Sequence, residues 1–444
     1  AIRDWVAKLP FVLTRKQKVA AWEILQDISQ PRPMNRLLEG DVGSGKTVVA
    51  ALAIYNTVLN KQQAILMAPT EILARQHFQS LTKFFAAEKI SIGLLTRSQA
   101  EGGGEGLSHG RARKNICQAV KNNELAVLIG TQALLNEDID FASLGLVIVD
   151  EQHRFGVSQR KMIREKSGLT KILPHFLSLT ATPIPRSFAL TLYGDLDLSI
   201  IDEMPKGRKP VLTRLVEPQK RQAAYDFIQK QIRAGHQVFV ICPLIAGEDE
   251  GMASEKKTVM TEYEKLSQKV FPDLSVGYLH GRMKAEDKAE QMKKFATNQI
   301  QILVSTSVVE VGVDIPNATV MMIEGAEKFG LAQLHQFRGR VGRSDQQSYC
   351  LLFTESETET ARERLHFFAS TTSGFKVAEY DLQQRGPGEV YGLAQSGLMN
   401  FRLATMRDQE LIKLAREMAR GLNFSQYPEL VQKVKTWEQS VHWE

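Results

Sequence analysis

The sequence predicts an α/β protein in which two strand-and-helix series follow one another, each building a parallel sheet, with a smaller helical and loop region at the end. Three observations carry this. Short aliphatic or β-branched runs recur at 64–68, 126–130, 146–150 and 176–180, then again at 237–242 and 300–304. Stretches with helical apolar spacing separate them, as from Glu71 through Phe78, and that alternation is the pattern of parallel strands joined by right-handed crossovers. A turn-forming, charged segment at 205–210 divides the two series, and after the apolar run 349–353 the pattern turns to Glu/Arg-rich helix, a Gly-containing loop and amphipathic helix. The expected units are residues 1–204, 205–355 and 356–444.

With 444 residues, at about 100 to 200 per domain, the chain suits two or three cores. A hydrophobic share of 43% with 24% charged residues is ordinary for a globular protein, and no run approaches the ~18 apolar residues of a membrane span. No membrane partner is expected. Cys117, Cys242 and Cys350 are too few and too scattered for a disulfide framework or a zinc site, which points to a reducing, cytoplasmic setting. The net charge of +6 favours a polyanionic partner, but only mildly when spread over this length.

In chain order, the first segment that carries chemistry is 13–17, where the Gln17 amide is suited to read an adenine edge because it donates and accepts at once. Gly40-Asp41-Val42-Gly43-Ser44-Gly45-Lys46-Thr47 then follows a short apolar run and opens a helix. Glycines at 40, 43 and 45 let backbone N–H groups, including that of Ser44, approach phosphate oxygens, and the helix dipole adds positive potential. Lys46 supplies a mobile charge and the Thr47 hydroxyl a ligand for Mg²⁺. The expected substrate is ATP.

Asp150 and Glu151 end a strongly apolar run about a hundred residues later. A pair of this kind is by itself an ordinary loop or helix cap. Joined to a phosphate loop, it becomes a Mg²⁺ ligand (Asp150) and a water-polarising base (Glu151). The Ser/Thr-rich segment 178–183 suits coupling of hydrolysis to movement, or a simple hydroxyl turn. The second series has no phosphate loop of its own, so its expected role is to close over the first. Arg340 and Arg343, in Arg338-Gly339-Arg340-Val341-Gly342-Arg343, would reach the γ-phosphate as arginine fingers, although a structural ion-pair cluster reads equally well from these residues alone. Segment 305–314 adds hydroxyls and acids near the same cleft, with Gly312 and Asp314 as nucleotide-sensing candidates.

Taken together, these segments resemble the motor motifs of superfamily 2 helicases, and their wording is closest to the RecG family. The resemblance runs from about Leu9 to Gly397 and includes Asp150-Glu151-Gln152-His153-Arg154-Phe155-Gly156-Val157, Leu279-His280-Gly281-Arg282-Met283 and Glu310-Val311-Gly312-Val313-Asp314-Ile315-Pro316-Asn317-Ala318. It implies two tandem RecA-like lobes that bind ATP and Mg²⁺ between them, and a monomer acting at the nucleoid on duplex or branched DNA with a single-stranded-DNA-binding protein as a further partner. Asp381-Leu382-Gln383-Gln384-Arg385-Gly386-Pro387-Gly388-Glu389, followed by Gln395-Ser396-Gly397, looks like the family's translocation motif. That likeness assigns coupling roles to Arg364, Arg385 and Gln395. Their chemistry alone reads as a helix-face charge at Arg364 and a turn-capping guanidinium at Arg385.

Three departures stand out. The family's N-terminal wedge barrel is not in this sequence, Arg97 stands where relatives tend to carry Gly, and Ala369 takes a position in the hairpin that is often basic. Two other readings remain at this point: a transcription-repair coupling translocase, and a non-catalytic DNA-binding protein with ATP as a structural ligand.

Overall fold

The computed structural model describes residues 1–102, 109–131, 134, 139–151, 173–181, 196–205, 207–243, 252–306, 315–342 and 345–390, then helix 428–440 and isolated positions between 411 and 427. Among the described residues the strands form two sheets, one of eight strands and one of six.

The first lobe opens with α1 (Ile2–Ala7) and α2 (Arg15–Ile28). A capping box starts α2: Thr14 Oγ1 accepts from the Gln17 backbone N–H at 3.2 Å, and Gln17 Oε1 accepts from the Thr14 N–H at 2.9 Å. Strand β1 (Asn35–Gly40) leads through the glycine loop into α3 (Lys46–Leu59), and β2 (Gln63–Ala68) and α4 (Glu71–Phe84) follow. Helix α3 is buried continuously from Val48 to Tyr55, because it lies between α2 and the sheet and has no face left for water. The sheet is completed by β3 (Ile92–Leu95), β4 (Ala100–Glu101), β5 (Val127–Thr131), β6 (Leu144–Asp150), β7 (His175–Thr180) and β8 (Asp197–Ile201), with α5 (His109–Lys121) between β4 and β5.

The strand order is β4-β3-β5-β2-β6-β7-β1-β8, and every pair is parallel except β3 with β4. This order sets β6, β7 and β1 side by side. Asp150 is in register with Leu179, and Glu39 with Thr180, so the acidic strand end and the phosphate loop emerge at the same edge, two inter-strand spacings or about 10 Å apart. Parallel sheets bind ligands at that edge.

The second lobe is built from β9 (Leu212–Val216), α6 (Arg221–Arg233), β10 (Gln237–Ile241), α7 (Met252–Glu264), β11 (Val276–Leu279), α8 (Ala285–Ala296), β12 (Ile302–Ser305), β13 (Ala318–Ile323), α9 (Leu331–Arg338) and β14 (Tyr349–Phe353). Its order, β11-β12-β10-β13-β14-β9, is parallel throughout. Apolar clusters cover both faces, one around Phe239, Phe295 and Phe337 and the other around Tyr225, Ile228 and Phe353. Burial on both sides explains why the central strands read as unbroken apolar runs. Edge strand β9 alternates instead, and the sequence reading passed over it.

Beyond β14, α10 (Glu359–Ser370) and α11 (Gly374–Val390) form a hairpin in which the rings of Phe367 and Tyr380 stack at 3.9 Å. Helix α12 (Pro428–Ser440) follows. No helix among the described residues is long and apolar enough to cross a membrane.

Phe239 is fully buried on β10 and packs on Phe295 at 4.8 Å. Phe239→Ala is expected to cost about 3 to 5 kcal/mol, read as a lower denaturant midpoint for the second lobe, with the first lobe's transition unmoved.

Candidate nucleotide site between the lobes

The phosphate loop is a run of backbone bends with Gly43 at φ +79° and Gly45 at φ +89°, conformations that L side chains rarely adopt. Its carbonyls are held from behind. Lys46 Nζ donates to the carbonyls of Gly40 (2.6 Å) and Asp41 (3.1 Å), and Gln17 Nε2 donates to that of Ser44 (2.8 Å). Gln17 therefore sits at the site as expected, but its amide is engaged by loop backbone and by Thr14 rather than presented to a base. Thr47 follows Lys46 in the first turn of α3, beside the loop.

Lys46 is surrounded by carboxylates. Burial lowers its pKa, and the charges of Glu151, Asp150, Asp41 and Glu39 oppose that fall. Asp150 is also buried, which would raise its pKa, yet the hydrogen bond with His77, together with the charges of His77 and Lys46, holds it below the ordinary carboxylate value. His77 Nε2 lies 2.8 Å from Asp150 Oδ2, reaching across from α4 to the end of β6.

Glu151 behaves oppositely. Burial, with Asp150's charge adding to it, pushes its carboxyl up to about 7 against the pull of Lys46 and Arg340. It occupies a left-handed backbone conformation at φ 59°, which costs on the order of 1 kcal/mol or more, and its N–H is tied to the Leu179 carbonyl at 2.9 Å. Strained backbone of this kind turns a side chain off the strand line toward a site. Arg340, from the opposite lobe, lies close enough for its charge to act on Glu151, which also feels Lys46 and Asp150.

Contacts that the sequence reading missed hold the lobes in this relation. His335 Nε2 lies 3.0 Å from Asp41 Oδ1, and the Gly374 N–H, at the start of α11, donates to Asp41 Oδ2 at 3.3 Å. Arg338 donates to His335 Nδ1 at 2.9 Å. A guanidinium only donates, so Nδ1 is the acceptor and the ring proton sits on Nε2, aimed at Asp41. The same guanidinium donates to the carbonyls of Phe368, Thr371 and Thr372 and lies over the Phe368 ring at 4.3 Å, which joins the phosphate loop to the α10–α11 turn. Asp41's own pKa is pulled up by burial but held low by the hydrogen bonds from His335 and Gly374 and the charge of Lys46. Gly339 makes the close approach possible, since a Cβ there would sit 2.7 Å from Val42 Cβ.

Arg364 on α10 donates to the Glu327 carbonyl, just ahead of α9, at 2.5 Å. Arg385 lies in α11, with its side chain outside the described residues, and Gly312, Asp314, Arg343 and Gln395 also lie outside them.

Two parallel-sheet lobes, with a phosphate loop on one and an arginine loop of the other set against it, define the helicase-type fold. Family models agree. Residues 14–190 match the DEAD/DEAH box helicase, 219–345 the helicase conserved C-terminal domain, and 371–443 the C-terminal part of domain 3 of the ATP-dependent DNA helicase RecG. The chain is 47% identical over 428 residues to the ATP-dependent DNA helicase RecG of Synechocystis sp. and 46% identical over 415 residues to that of Thermotoga maritima, covering 95% and 93% of this chain but 50% and 51% of those proteins. The structure of RecG bound to a three-way DNA junction superimposes with a TM-score of 0.75 at 44% identity, covering 93% of this chain and 52% of that one. The chain belongs to the RecG family and spans about half the length of these relatives.

The pH dependence of stability follows from Glu151. Its folded pKa, about 7, lies above the ordinary 4.5, so the folded protein keeps a proton that the unfolded chain has lost between those values. That contribution is complete below about pH 4.5, declines as pH rises, and is gone above about 7. In nucleotide-free protein with EDTA, Glu151→Gln should therefore gain Tm over the parent above pH 7 and lose the advantage toward pH 4.5. A Tm difference that is flat with pH would contradict the assignment.

Proposed function

We propose that this chain is an ATP-driven translocase on duplex DNA of the RecG type, acting on branched DNA such as stalled forks and Holliday junctions. The observation that carries it is the facing of Lys46, Asp150 and Glu151 in one lobe by Arg340 of the other. The lobes are taken as 1–204 and 205–355, with 356–444 as the region that couples them to DNA. The relative seen on a three-way junction supports the substrate class.

ATP's phosphates would lie along the loop N–H groups and Lys46. The residues present suit a divalent cation, because Thr47 and Asp150 supply a hydroxyl and a carboxylate of depressed pKa, and Mg²⁺ commonly takes just one or two carboxylates beside the phosphates. Such a cation would offset phosphate charge. Glu151 takes a proton from the attacking water, and its raised pKa makes it a better base than an ordinary carboxylate. Arg340 and Arg343 stabilise the charge that develops on the γ-phosphoryl oxygens. Hydrolysis frees the γ-phosphoryl group as inorganic phosphate, whose departure removes the anion that draws the lobes together, and the α10–α11 hairpin, wired to α9 through Arg338 and to the turn before it through Arg364, moves with them. Arg385 and Gln395 would transmit that motion to DNA. Gln17 would hold the loop, with Gly312 and Asp314 sensing nucleotide from the second lobe. A monomer working in the cytoplasm at the nucleoid, delivered by a single-stranded-DNA-binding protein, completes the reading.

Lys46→Ala and Glu151→Gln should each lower DNA-stimulated ATP hydrolysis at least about a hundredfold, and parental rates in either would contradict the site. Arg385→Ala should keep DNA-independent hydrolysis and lose triplex displacement. Retained displacement would remove its coupling role. Bound ATP that is not hydrolysed with or without DNA would favour the reading of ATP as a structural ligand.

A further inference from the structure

We propose that Arg208, in the connector between β8 and β9, is a positioning residue that sets the register at which the arginine loop of the second lobe meets the phosphate loop of the first. The inference rests on the nucleotide-site reading above. Arg208 belongs to neither sheet, and its guanidinium is bonded to both lobes: Nε donates to the Gly342 carbonyl at 2.6 Å and Nη1 to the Val42 carbonyl at 2.9 Å. Those partners lie 134 and 166 residues away in sequence. Both acceptors are backbone, so the contact reads the course of the chain rather than a side chain. A planar fork holds its donors in fixed directions, so it fixes two such carbonyls relative to one another more rigidly than the freely turning donors of an ammonium.

The consequence follows from peptide geometry. In a trans peptide unit the C=O and the N–H point in opposite directions and turn together. Holding the Val42 carbonyl toward the connector therefore turns the Gly43 N–H, in the same unit, away from it, toward the inner side of the phosphate loop. The Gly342 carbonyl is held by the same guanidinium, two residues beyond Arg340. The glycines accommodate this: Gly43 and Gly342 have φ of +79° and +74°, and a Cβ on Gly43 would lie 1.8 Å from Arg208 Nη1. The middle glycine of the phosphate loop thus leaves room for this guanidinium as well as for phosphate. Arg208 touches no reacting atom; it aligns the groups that do.

The test is steady-state ATP hydrolysis at saturating duplex DNA for the full chain and for Arg208→Ala, Arg208→Lys, Arg340→Ala and the Arg208→Ala/Arg340→Ala pair, with Tm and binding of a fluorescent ATP analogue measured alongside. A misaligned loop should lower kcat about tenfold to a hundredfold in Arg208→Ala, with KM for ATP within about threefold and Tm and analogue binding near parental values. Lysine, with charge but no fork, should stay within about threefold of alanine. In the Arg340→Ala background the second substitution should cost less than about threefold, because the loop it aligns has lost its reacting group. Parental kcat in Arg208→Ala, full rescue by lysine, or two losses that simply multiply would each overturn the proposal. An Arg340→Ala protein at the parental rate would sink the nucleotide-site reading and this proposal with it. A slow Arg340→Ala beside a normal Arg208→Ala would sink the proposal alone.

Discussion

Three of the eight residues of the phosphate loop, 40–47, are glycine, which favours no single backbone conformation, so the loop's shape depends on the side chains that bond its carbonyls. Those of Gly40 and Asp41 accept from Lys46, that of Val42 from Arg208, and that of Ser44 from Gln17. The Val42 carbonyl, held toward the connector, turns the Gly43 N–H of the same peptide unit the other way. The donors come from α2, from α3 and from the connector, so the loop's conformation is a property of the whole assembly.

The same loop carries the joint between lobes. Asp41 is buried, and its bonds to His335 and the Gly374 N–H replace the water it has lost. A hydrogen bond to a charged group is worth about 1.5 to 3 kcal/mol, well above the worth of an exposed ion pair. The joint is therefore stiff for small displacements. It is also directional, because Arg338 fixes the tautomer that points the His335 proton at Asp41 and simultaneously holds the turn from which α11 starts. A shift of the phosphate loop reaches the hairpin through a single buried arginine and histidine.

What the sequence made legible, and what it hid, divides along the range of these contacts. The phosphate loop, the Asp150-Glu151 pair and the arginine loop are local patterns, and each could be read because its chemistry lies within a few consecutive residues. The central strands were visible as apolar runs because both faces are covered, whereas β8 and β9, at the sheet edges, were not. His77, His335 and Arg208 gave no local signal: their partners lie 73, 294 and 166 residues away. Asp41 drew no assignment from the loop pattern, and only the fold shows it facing the other lobe. Gln17 was expected at a base, and its amide is bonded to the loop instead. The spacing Leu334-His335 to Arg338-Gly339 held a clue, because i and i+3 positions on one helix face can share a proton, but the acceptor beyond the pair could not be guessed.

The charge balance explains why the lobes must act together. Around Lys46 stand the carboxyls of Glu39, Asp41, Asp150 and Glu151, and a triphosphate would bring several negative charges into the same space. Glu151 relieves part of this by holding its proton near neutrality. Asp41 is relieved by the second lobe, through His335 and Gly374. The first lobe by itself offers one buried lysine and the loop N–H groups, which is too little positive charge for a tightly held polyanion in a site of low polarity. The rest comes from Arg340, which already acts on Glu151 from across the cleft. Nucleotide affinity and lobe closure thus draw on the same guanidinium, and a ligand that binds the closed arrangement better than the open one shifts the population toward it by that difference alone. On the proposed function, loss of the γ-phosphate would remove the charge the guanidinium was balancing, so the chemistry that consumes ATP would also withdraw the reason for the lobes to stay together.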